Sequence, residues 1–186
     1  MHGVARFFIY YADRIIYFDT AEIYTGGKSE ELLADCIRRG GRPPVVASKY
    51  MPNESRKTKK DFVDALDGSL KRLGVKTIDL YYIHSPPKAQ SIEELIGYMA
   101  KALVEGKIRS IGVSNFDVLQ LTKAVDILEE YGLKLAANQV EYSLLNRDPE
   151  KNGVLEACKS MNVSLVAYRP LARGRLTSDA MNGSSL

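Results

Sequence analysis

Polar side chains recur at one position of a repeating pattern in this sequence, directly after short apolar runs. They are Asp19, Lys49, His84, Ser114 with Asn115, Gln139 and Tyr168. Taken singly, each has a common structural explanation, because loop residues of these types often cap turns or satisfy backbone groups. Their recurrence after six successive runs favours a shared site instead.

Together with Tyr24, three of these residues form a set that can protonate a carbonyl oxygen. A tyrosine phenol has a pKa of about 10, which is too high for rapid proton exchange at neutral pH. A neighbouring Lys49 ammonium would lower that pKa, and Asp19 would keep the lysine charged. The N–H of His84 would orient the carbonyl. We therefore predict proton donation to a carbonyl while a cofactor delivers hydride, since no side chain supplies hydride.

The runs that precede these residues have the composition and length of β-strands. They are IIYF (15–18), PVVAS (44–48), IDLYYI (78–83), IRSIGV (108–113), KLAANQV (134–140) and VSLVAY (163–168). Their starts are about thirty residues apart, and the stretches between them have helical periodicity. Strands and helices that alternate at a fixed period predict a parallel sheet covered by helices, with strands buried on both faces.

Helix signals occur where this alternation requires them. A capping-box pattern begins at Ser91, and glycines that suit helix C-termini stand at Gly74, Gly106 and Gly132. The basic run 56–60 is interpreted as a solvated loop that leads into a helix.

Two architectures contain such an alternation: an open doubly wound sheet and a closed (β/α) barrel. A doubly wound dinucleotide fold should carry a Gly-x-Gly-x-x-Gly turn after a strand, and this sequence has no such turn. The even period therefore predicts a TIM-type (β/α)8 barrel, in which the active site lies at the C-terminal ends of the strands. Because the sequence supplies about six of the eight units, we predict that the barrel is incomplete.

Composition argues against several classes of protein. The formal charge of +3 comes from 26 basic and 23 acidic residues among 186, so a nucleic-acid partner is not expected. The apolar stretch 7–12 is too short for a membrane span or a signal segment. Two cysteines, Cys36 and Cys158, indicate neither a disulfide scaffold nor a metal site, and a reduced cytoplasmic setting is expected.

Six motifs resemble those of the aldo-keto reductase superfamily, in the same order and spacing. They are FDTAEIYTGGKSEELL (18–33), VVASK (45–49), LGVKTIDLYYIHSP (73–86), GKIRSIGVSNF (106–116), NQVEYSLLNR (138–147) and VAYRPLARG (166–174). The resemblance is greatest to the general bacterial, archaeal and plant reductases. It implies an oxidoreductase that uses NADP(H) to reduce small aldehydes or ketones to alcohols.

The resemblance also implies roles for individual residues. Tyr24 matches the general acid and Lys49 the residue that lowers its pKa. Asp19 matches the partner of the lysine near the nicotinamide ribose, and His84 matches the residue that orients the carbonyl oxygen. The other positions that match the cofactor site are Ser114, Asn115 and Gln139 at the carboxamide, Tyr168 on the nicotinamide ring, and Leu171 and Gly174 in the pyrophosphate loop.

Three departures from the family pattern affect these expectations. Arg169 stands where relatives commonly have Ser, so it would either pair with a cofactor phosphate or block the loop. The six strands match the second to seventh strands of the family, which predicts a single domain over 1–186, truncated at both ends. The family segment that grips the adenosine 2′-phosphate has no match, and NAD(H) therefore stays open as an alternative cofactor.

An alternative function follows from the same incomplete barrel. The chain would then be a catalytically inactive fragment, or an interaction subunit that needs a partner chain to complete the barrel. Exposed strand edges predict pairing with a complementing chain or with a second copy as a homo-oligomer.

Overall fold

A parallel sheet of six strands organises the fold. The structure is a computed structural model, and it describes residues 17–39 and 44–177. The strands are β1 (Tyr17–Asp19), β2 (Val45–Tyr50), β3 (Leu80–Ile83), β4 (Ile111–Ser114), β5 (Leu135–Glu141) and β6 (Ser164–Tyr168). They pair in chain order and all neighbours are parallel.

Helices occupy every connection between consecutive strands. They are α1 (Lys28–Arg39), α2 (Lys59–Leu73), α3 (Ile92–Val104), α4 (Val118–Glu130), α5 (Asp148–Lys151) and α6 (Val154–Ser160). The predicted alternation of strand and helix is confirmed, and its order is that of a TIM-type barrel over six of the eight units.

The helix signals in the sequence are also confirmed. Thr58 accepts a hydrogen bond from the backbone N–H of Asp61 at the start of α2, and Ser91 accepts one from Glu94 at the start of α3. In each capping box the carboxylate of the acidic residue in turn accepts a hydrogen bond from the backbone N–H of the capping residue. Gly74 follows α2 with φ of 66°, a left-handed conformation that favours glycine.

The main apolar core lies between the sheet and the helices. Phe62 and Leu66 of α2 pack there with Leu95 and Met99 of α3, and all four side chains are buried. The other face of the sheet, which we call the inner face, contains a much smaller apolar cluster centred on Tyr82. Bulky apolar residues therefore fill one face and leave the other for polar groups.

The prediction of strands buried on both faces is largely correct for β2 to β5 and wrong for the two outer strands. In β1 the residues alternate between exposed and buried, and every residue of β6 is at least partly exposed. The reason is their place in the sheet, since β1 and β6 are its edges among the described residues.

Strand boundaries differ from the predicted ones by a few residues. Strand β2 continues to Tyr50, so Lys49 lies inside a strand rather than after one. Strand β4 begins at Ile111, because Ile108 forms only an isolated bridge with Ile78. Positions 15–16 of the first predicted strand and the apolar stretch 7–12 lie outside the described residues.

Candidate active site

Lys49 is at the centre of the site, and its side chain is fully buried. Its Nζ donates to Asp19 Oδ1 and to the backbone carbonyl of Thr20, the latter at 2.8 Å. Both acceptors belong to β1 or to the residue after it, and β1 is the neighbour of β2. Burial lowers the pKa of Lys49, while the Asp19 carboxylate opposes this change. The aspartate therefore stabilises a buried ammonium, as the sequence predicts.

Tyr24 lies beside Lys49 on the loop that follows β1. The loop turns sharply here, and the Tyr24 N–H donates to the Ala21 carbonyl at 3.0 Å. Lys49 Nζ is 5.2 Å from the centroid of the Tyr24 ring. The ring of His84 meets the Tyr24 ring edge-on, with centroids 5.6 Å apart. The fold thus brings all four residues of the predicted catalytic set into contact around Lys49.

The pKa of Tyr24 is shifted by its surroundings. It is raised above the ordinary value, first by burial and then by the negative charge of Asp19, and only Arg169 acts in the opposite direction among the leading causes. The Asp19 carboxylate pairs with the Lys49 ammonium and places a negative charge beside the phenol. Lowering of the Tyr24 pKa by Lys49 stays a prediction.

His84 follows β3 directly, and its backbone N–H donates to the Tyr50 carbonyl at 2.8 Å. Its Nδ1 is buried and has no hydrogen-bond partner among the described residues. Burial and the nearby Lys49 charge lower the pKa of His84 to about 4, so the imidazole is neutral at pH 7. Since a buried N–H without an acceptor is costly, the single proton belongs on Nε2. His84 can therefore donate one hydrogen bond from Nε2.

The predicted nicotinamide-binding residues form one hydrogen-bonded cluster next to Asp19. Gln139 Nε2 donates to Asp19 Oδ2 at 2.9 Å, and Ser114 Oγ donates to the Gln139 carbonyl at 2.8 Å. Asn115 Nδ2 donates to Ser114 Oγ at 3.1 Å, and the Tyr168 hydroxyl donates to Asn115 Oδ1 at 3.1 Å. The ends of β4, β5 and β6 are thereby connected to the lysine and aspartate pair.

The loop after β6 carries the two residues predicted for the pyrophosphate. Leu171 is 55% exposed, and Gly174 has φ of 87° and donates from its N–H to the Leu171 carbonyl at 3.0 Å. Ala172 and Arg173 between them also have positive φ, which is uncommon for residues with a side chain. The result is a tight turn at the same end of the sheet as Tyr168.

Arg169, which departs from the family pattern, faces a neighbouring strand. Its Nη1 donates to Glu141 Oε2 at 3.1 Å, and its guanidinium lies 5.6 Å from the centroid of the Tyr168 ring. Glu141 is the register partner of Tyr168 in the sheet. Arg169 is thus held beside the ring of Tyr168, the residue that precedes it, by its hydrogen bond to Glu141.

Sequence reasoning missed the aromatic layer beneath Lys49. The Tyr82 side chain is fully buried, its ring centroid is 5.7 Å from Lys49 Nζ, and its hydroxyl is 3.3 Å from that of Tyr17. Gly112 leaves room for this ring, because a Cβ there would lie 2.5 Å from it. The available signal was the strand period of two, which places Tyr82 on the same face as His84.

Residues 17–39 and 44–177 contain neither a cluster of metal ligands nor a membrane-spanning helix. No group of three or more His, Cys, Asp or Glu residues there could hold a metal ion. None of the helices in those ranges is both long and apolar enough to cross a membrane.

The fold and the site define a (β/α)-barrel protein whose candidate functional side chains lie at the carboxyl ends of parallel strands. The model of the Aldo/keto reductase family matches residues 9–185, and the chain belongs to that family. This confirms the resemblance seen in the sequence motifs.

Curated relatives are longer than this chain. It is 34% identical over 173 residues to the aldo-keto reductase yakc [NADP(+)] of Schizosaccharomyces pombe, a match that covers 87% of this chain and 49% of the relative. It is 34% identical over 132 residues to the L-glyceraldehyde 3-phosphate reductase of Escherichia coli K12, which covers 71% of this chain and 38% of that enzyme. The chain therefore spans half the length of these relatives or less.

Solved structures confirm the fold. The thermostable aldo-keto reductase Tm1743, in complex with the inhibitor epalrestat, matches with a TM-score of 0.85 and 36% identity over 96% of this chain and 64% of that one. An aldo/keto reductase from Klebsiella pneumoniae in complex with NADP and acetate matches with a TM-score of 0.80 and 32% identity, over 95% and 60% of the two chains. The predicted incomplete TIM-type barrel is confirmed.

Proposed function

We propose that the chain is an NADP(H)-dependent oxidoreductase that reduces aldehydes or ketones to alcohols, with Tyr24 as the general acid. The observation that carries this proposal is the contact of Tyr24 with a fully buried Lys49 on one side and with His84 on the other. An acid, a cation and a neutral hydrogen-bond donor converge there, which is what protonation of a carbonyl oxygen requires.

The proton comes from the Tyr24 hydroxyl in this proposal. As the phenol gives up its proton, negative charge develops on its oxygen, and the Lys49 ammonium stabilises that charge. Asp19 fixes the lysine in place by accepting from its Nζ. Because the raised pKa of Tyr24 keeps the phenol protonated at neutral pH, the acid is present in its donating form.

His84 orients the substrate in this proposal. The neutral imidazole donates from Nε2 to the carbonyl oxygen and so directs it towards the Tyr24 hydroxyl. A protonated histidine would add a second cation beside Lys49, and the low pKa of about 4 prevents this at neutral pH.

The cluster beside Asp19 suits a nicotinamide. The amide side chains of Asn115 and Gln139 and the hydroxyl of Ser114 provide donors and acceptors for a carboxamide, and the half-buried ring of Tyr168 provides a face for stacking. Relatives support this cofactor, since one is named for NADP(+) and another was solved with NADP. When bound, the nicotinamide supplies the hydride.

Two residues of the turn after β6 complete the proposed cofactor site. Leu171 and Gly174 would follow the pyrophosphate, as the family motif implies. The tight positive-φ backbone of this turn exposes peptide groups of the kind that bind phosphate. NAD(H) remains the alternative cofactor in this proposal.

A small carbonyl compound is the proposed substrate. The name of the Escherichia coli relative identifies a phosphorylated aldehyde as the substrate of that enzyme. For this chain we propose only the reacting group, an aldehyde or ketone, because that group is the part of the substrate that Tyr24 and His84 would contact.

The test is NADPH oxidation with a broadly accepted aldehyde. Purified chain is mixed with NADPH and 4-nitrobenzaldehyde, and absorbance of the reduced cofactor is followed in parallel for a Tyr24→Phe variant. We expect turnover by the parent chain and a loss of about 100-fold or more in the variant, because the proton donor is removed. Equal rates for the two proteins would refute the role of Tyr24.

A second candidate function rests on the edge strands. Strand β6 carries no fully buried residue, and β1 and β6 are the edges of the described sheet. Such edges can pair with another strand, so an interaction subunit that docks a partner chain stays a prediction. Light scattering that shows a monomer at all accessible concentrations would count against self-association.

A further inference from the structure

A largely buried ion pair connects the segment that carries Tyr24 to the segment that follows Lys49. The Glu22 side chain is 6% exposed and accepts two hydrogen bonds from the Arg56 guanidinium, through Nη1 and through Nη2, the latter at 3.0 Å. The backbone N–H of Met51 also donates to Glu22 Oε1, at 2.7 Å. The carboxylate thus has three donors from one neighbouring segment.

The pair joins the two loops that carry the reacting residues. Glu22 precedes Tyr24 by two residues in the loop after β1, and Met51 follows Lys49 by two residues at the end of β2. Arg56 is fixed in turn, since Nη1 donates to the Met51 carbonyl at 3.1 Å and its guanidinium lies 5.0 Å from the Tyr50 ring centroid. The connection therefore runs from one loop to the rigid end of the neighbouring strand.

The Tyr24 loop is buried at its start, where Thr20 is 2% and Ala21 is 0% exposed, and its packing is sparse only around Tyr24 itself. The Tyr24 side chain is 39% exposed and its neighbour Ile23 is 46% exposed, so apolar burial fixes neither of them. Burying a charge pair costs desolvation energy, and apolar residues of similar size often stabilise a fold equally well. What the bidentate Arg–carboxylate pair adds is a defined geometry.

We propose that Glu22 and Arg56 are positioning residues that hold the Tyr24 ring beside Lys49. The basic run 56–60 is therefore more than a solvated loop, because its first residue is tied to the site. The inference rests on the proposed function for its catalytic consequence, although the positioning itself is a property of the folded chain. A displacement of about 1 Å in such a site is enough to lower turnover by about 100-fold.

The chain offers a matched control pair. Glu30 and Arg72 form a second buried Glu–Arg pair, with side-chain exposures of 0% and 29% against 6% and 26% for Glu22 and Arg56. This control pair joins α1 to α2. Arg72 packs against Gly27, three residues after Tyr24, and Glu30 accepts from the Ser48 hydroxyl. Among the described residues, however, no hydrogen bond or ion pair joins the control pair to Tyr24 itself. Loss of its charge should destabilise the fold in a similar way without altering the tyrosine.

The first measurement follows the Tyr24 phenol by NMR in protein labelled with 13Cζ-tyrosine, with Tyr24→Phe to assign its resonance. In Glu22→Gln the loop should detach and expose the ring, so that the pKa of Tyr24 falls towards about 10. The double variant Glu22→Gln with Arg56→Gln restores a net charge of zero to the pair. A positioning role predicts that the pKa shift persists in the double variant, whereas a simple charge effect would disappear.

The second measurement is steady-state reduction with NADPH. Glu22→Gln should lower kcat by about tenfold to 100-fold with a smaller change in KM, because the proton donor and not the substrate site is displaced. Arg56→Lys, which keeps the charge but not the bidentate fork, should give an intermediate loss. Glu30→Gln should leave kcat of the folded protein unchanged.

The two measurements separate failure of this inference from failure of the proposed function. If the parent chain does not turn over, the proposed function fails, and the NMR titration still decides the positioning role. A Tyr24 resonance that titrates as in the parent chain in Glu22→Gln and in Arg56→Lys would overturn the inference. A shift of equal size in Glu30→Gln would overturn it as well.

Discussion

The two faces of the sheet are built from alternate residues of the same strands and differ completely in content. In β3, Tyr81 and Ile83 point to the helices and join the main core, whereas Tyr82 points to the inner face and approaches Lys49. The strand period of two makes this separation automatic. The main apolar core and the candidate site therefore lie on opposite faces of the same sheet.

The inner face also holds fewer buried apolar residues than the outer face. In the part of the chain that the structure describes, its apolar cluster has Ala47, Tyr82 and Ala137 as buried members, whereas the outer face contributes most of the buried apolar residues. A fully buried Lys49 on this face relies on hydrogen bonds and an ion pair rather than on apolar contacts. Mutations on the two faces should therefore differ in whether they mainly change activity or mainly change stability.

Replacing the buried lysine should give the largest effect on activity. Lys49→Met removes the cation that stabilises the developing phenolate, so we expect kcat to fall by about 100-fold or more. The measurement is NADPH oxidation with an aldehyde under saturating conditions. Lys123→Met is the matched control, because Lys123 forms a surface pair with Glu93 at 2.5 Å and should change little. Comparable losses in both variants would contradict the account.

Truncating the outer core should affect stability instead. Leu66 is 1% exposed within the main core, and Leu66→Ala should lower the free energy of unfolding by about 2–5 kcal/mol. Denaturant unfolding gives this value directly. Below the transition the folded variant should keep the kcat of the parent chain, and a large loss of kcat there would mean that the faces are not separable.

Close packing on the inner face can be tested at one glycine. In Gly112→Ala the new Cβ would lie 2.5 Å from the Tyr82 ring, so we expect a loss of about 1–3 kcal/mol in unfolding free energy. The second change Tyr82→Leu removes the collision and should recover most of that loss. A double variant less stable than Gly112→Ala would show that the ring is not the source of the strain.

The remaining prediction is a pH dependence of stability from His84. The unfolded chain protonates this histidine near its ordinary pKa of 6.5, whereas the folded chain does so only near about 4. The unfolded state therefore binds more protons between these values, and stability falls as the pH is lowered from 6.5 to about 4. In His84→Gln this contribution is absent, so its melting temperature should depend less steeply on pH over that range. Parallel profiles would contradict the neutral buried histidine.

The sequence was sufficient to predict the order of elements and to select the residues that the fold brings together in the candidate site. Each β/α unit carries its own local signals, such as the capping box at Ser91 and the glycine that ends α2 at position 74. The position at the end of each strand is equally local. For that reason Asp19, Lys49 and His84 could be selected before any contact between them was known.

What could not be predicted depends on contacts between distant segments. The raised pKa of Tyr24 follows from its burial and from the nearby charge of Asp19, and only the folded geometry determines both. The pairing of Glu22 with Arg56 joins residues 34 positions apart, and nothing in a basic loop indicates an acidic partner. Burial of the edge strands likewise depends on which strands lie next to them.

The cofactor site on the inner face is the central claim, and an NADPH titration tests it most directly. The chain has no tryptophan, so NADPH emission can be followed without interference from indole. We predict a saturable increase in emission on addition of protein, weakened in Gln139→Ala and unchanged in Gln120→Ala, a control on the outer helix α4. A response that rises linearly without saturation and is the same for all three proteins would contradict the claim.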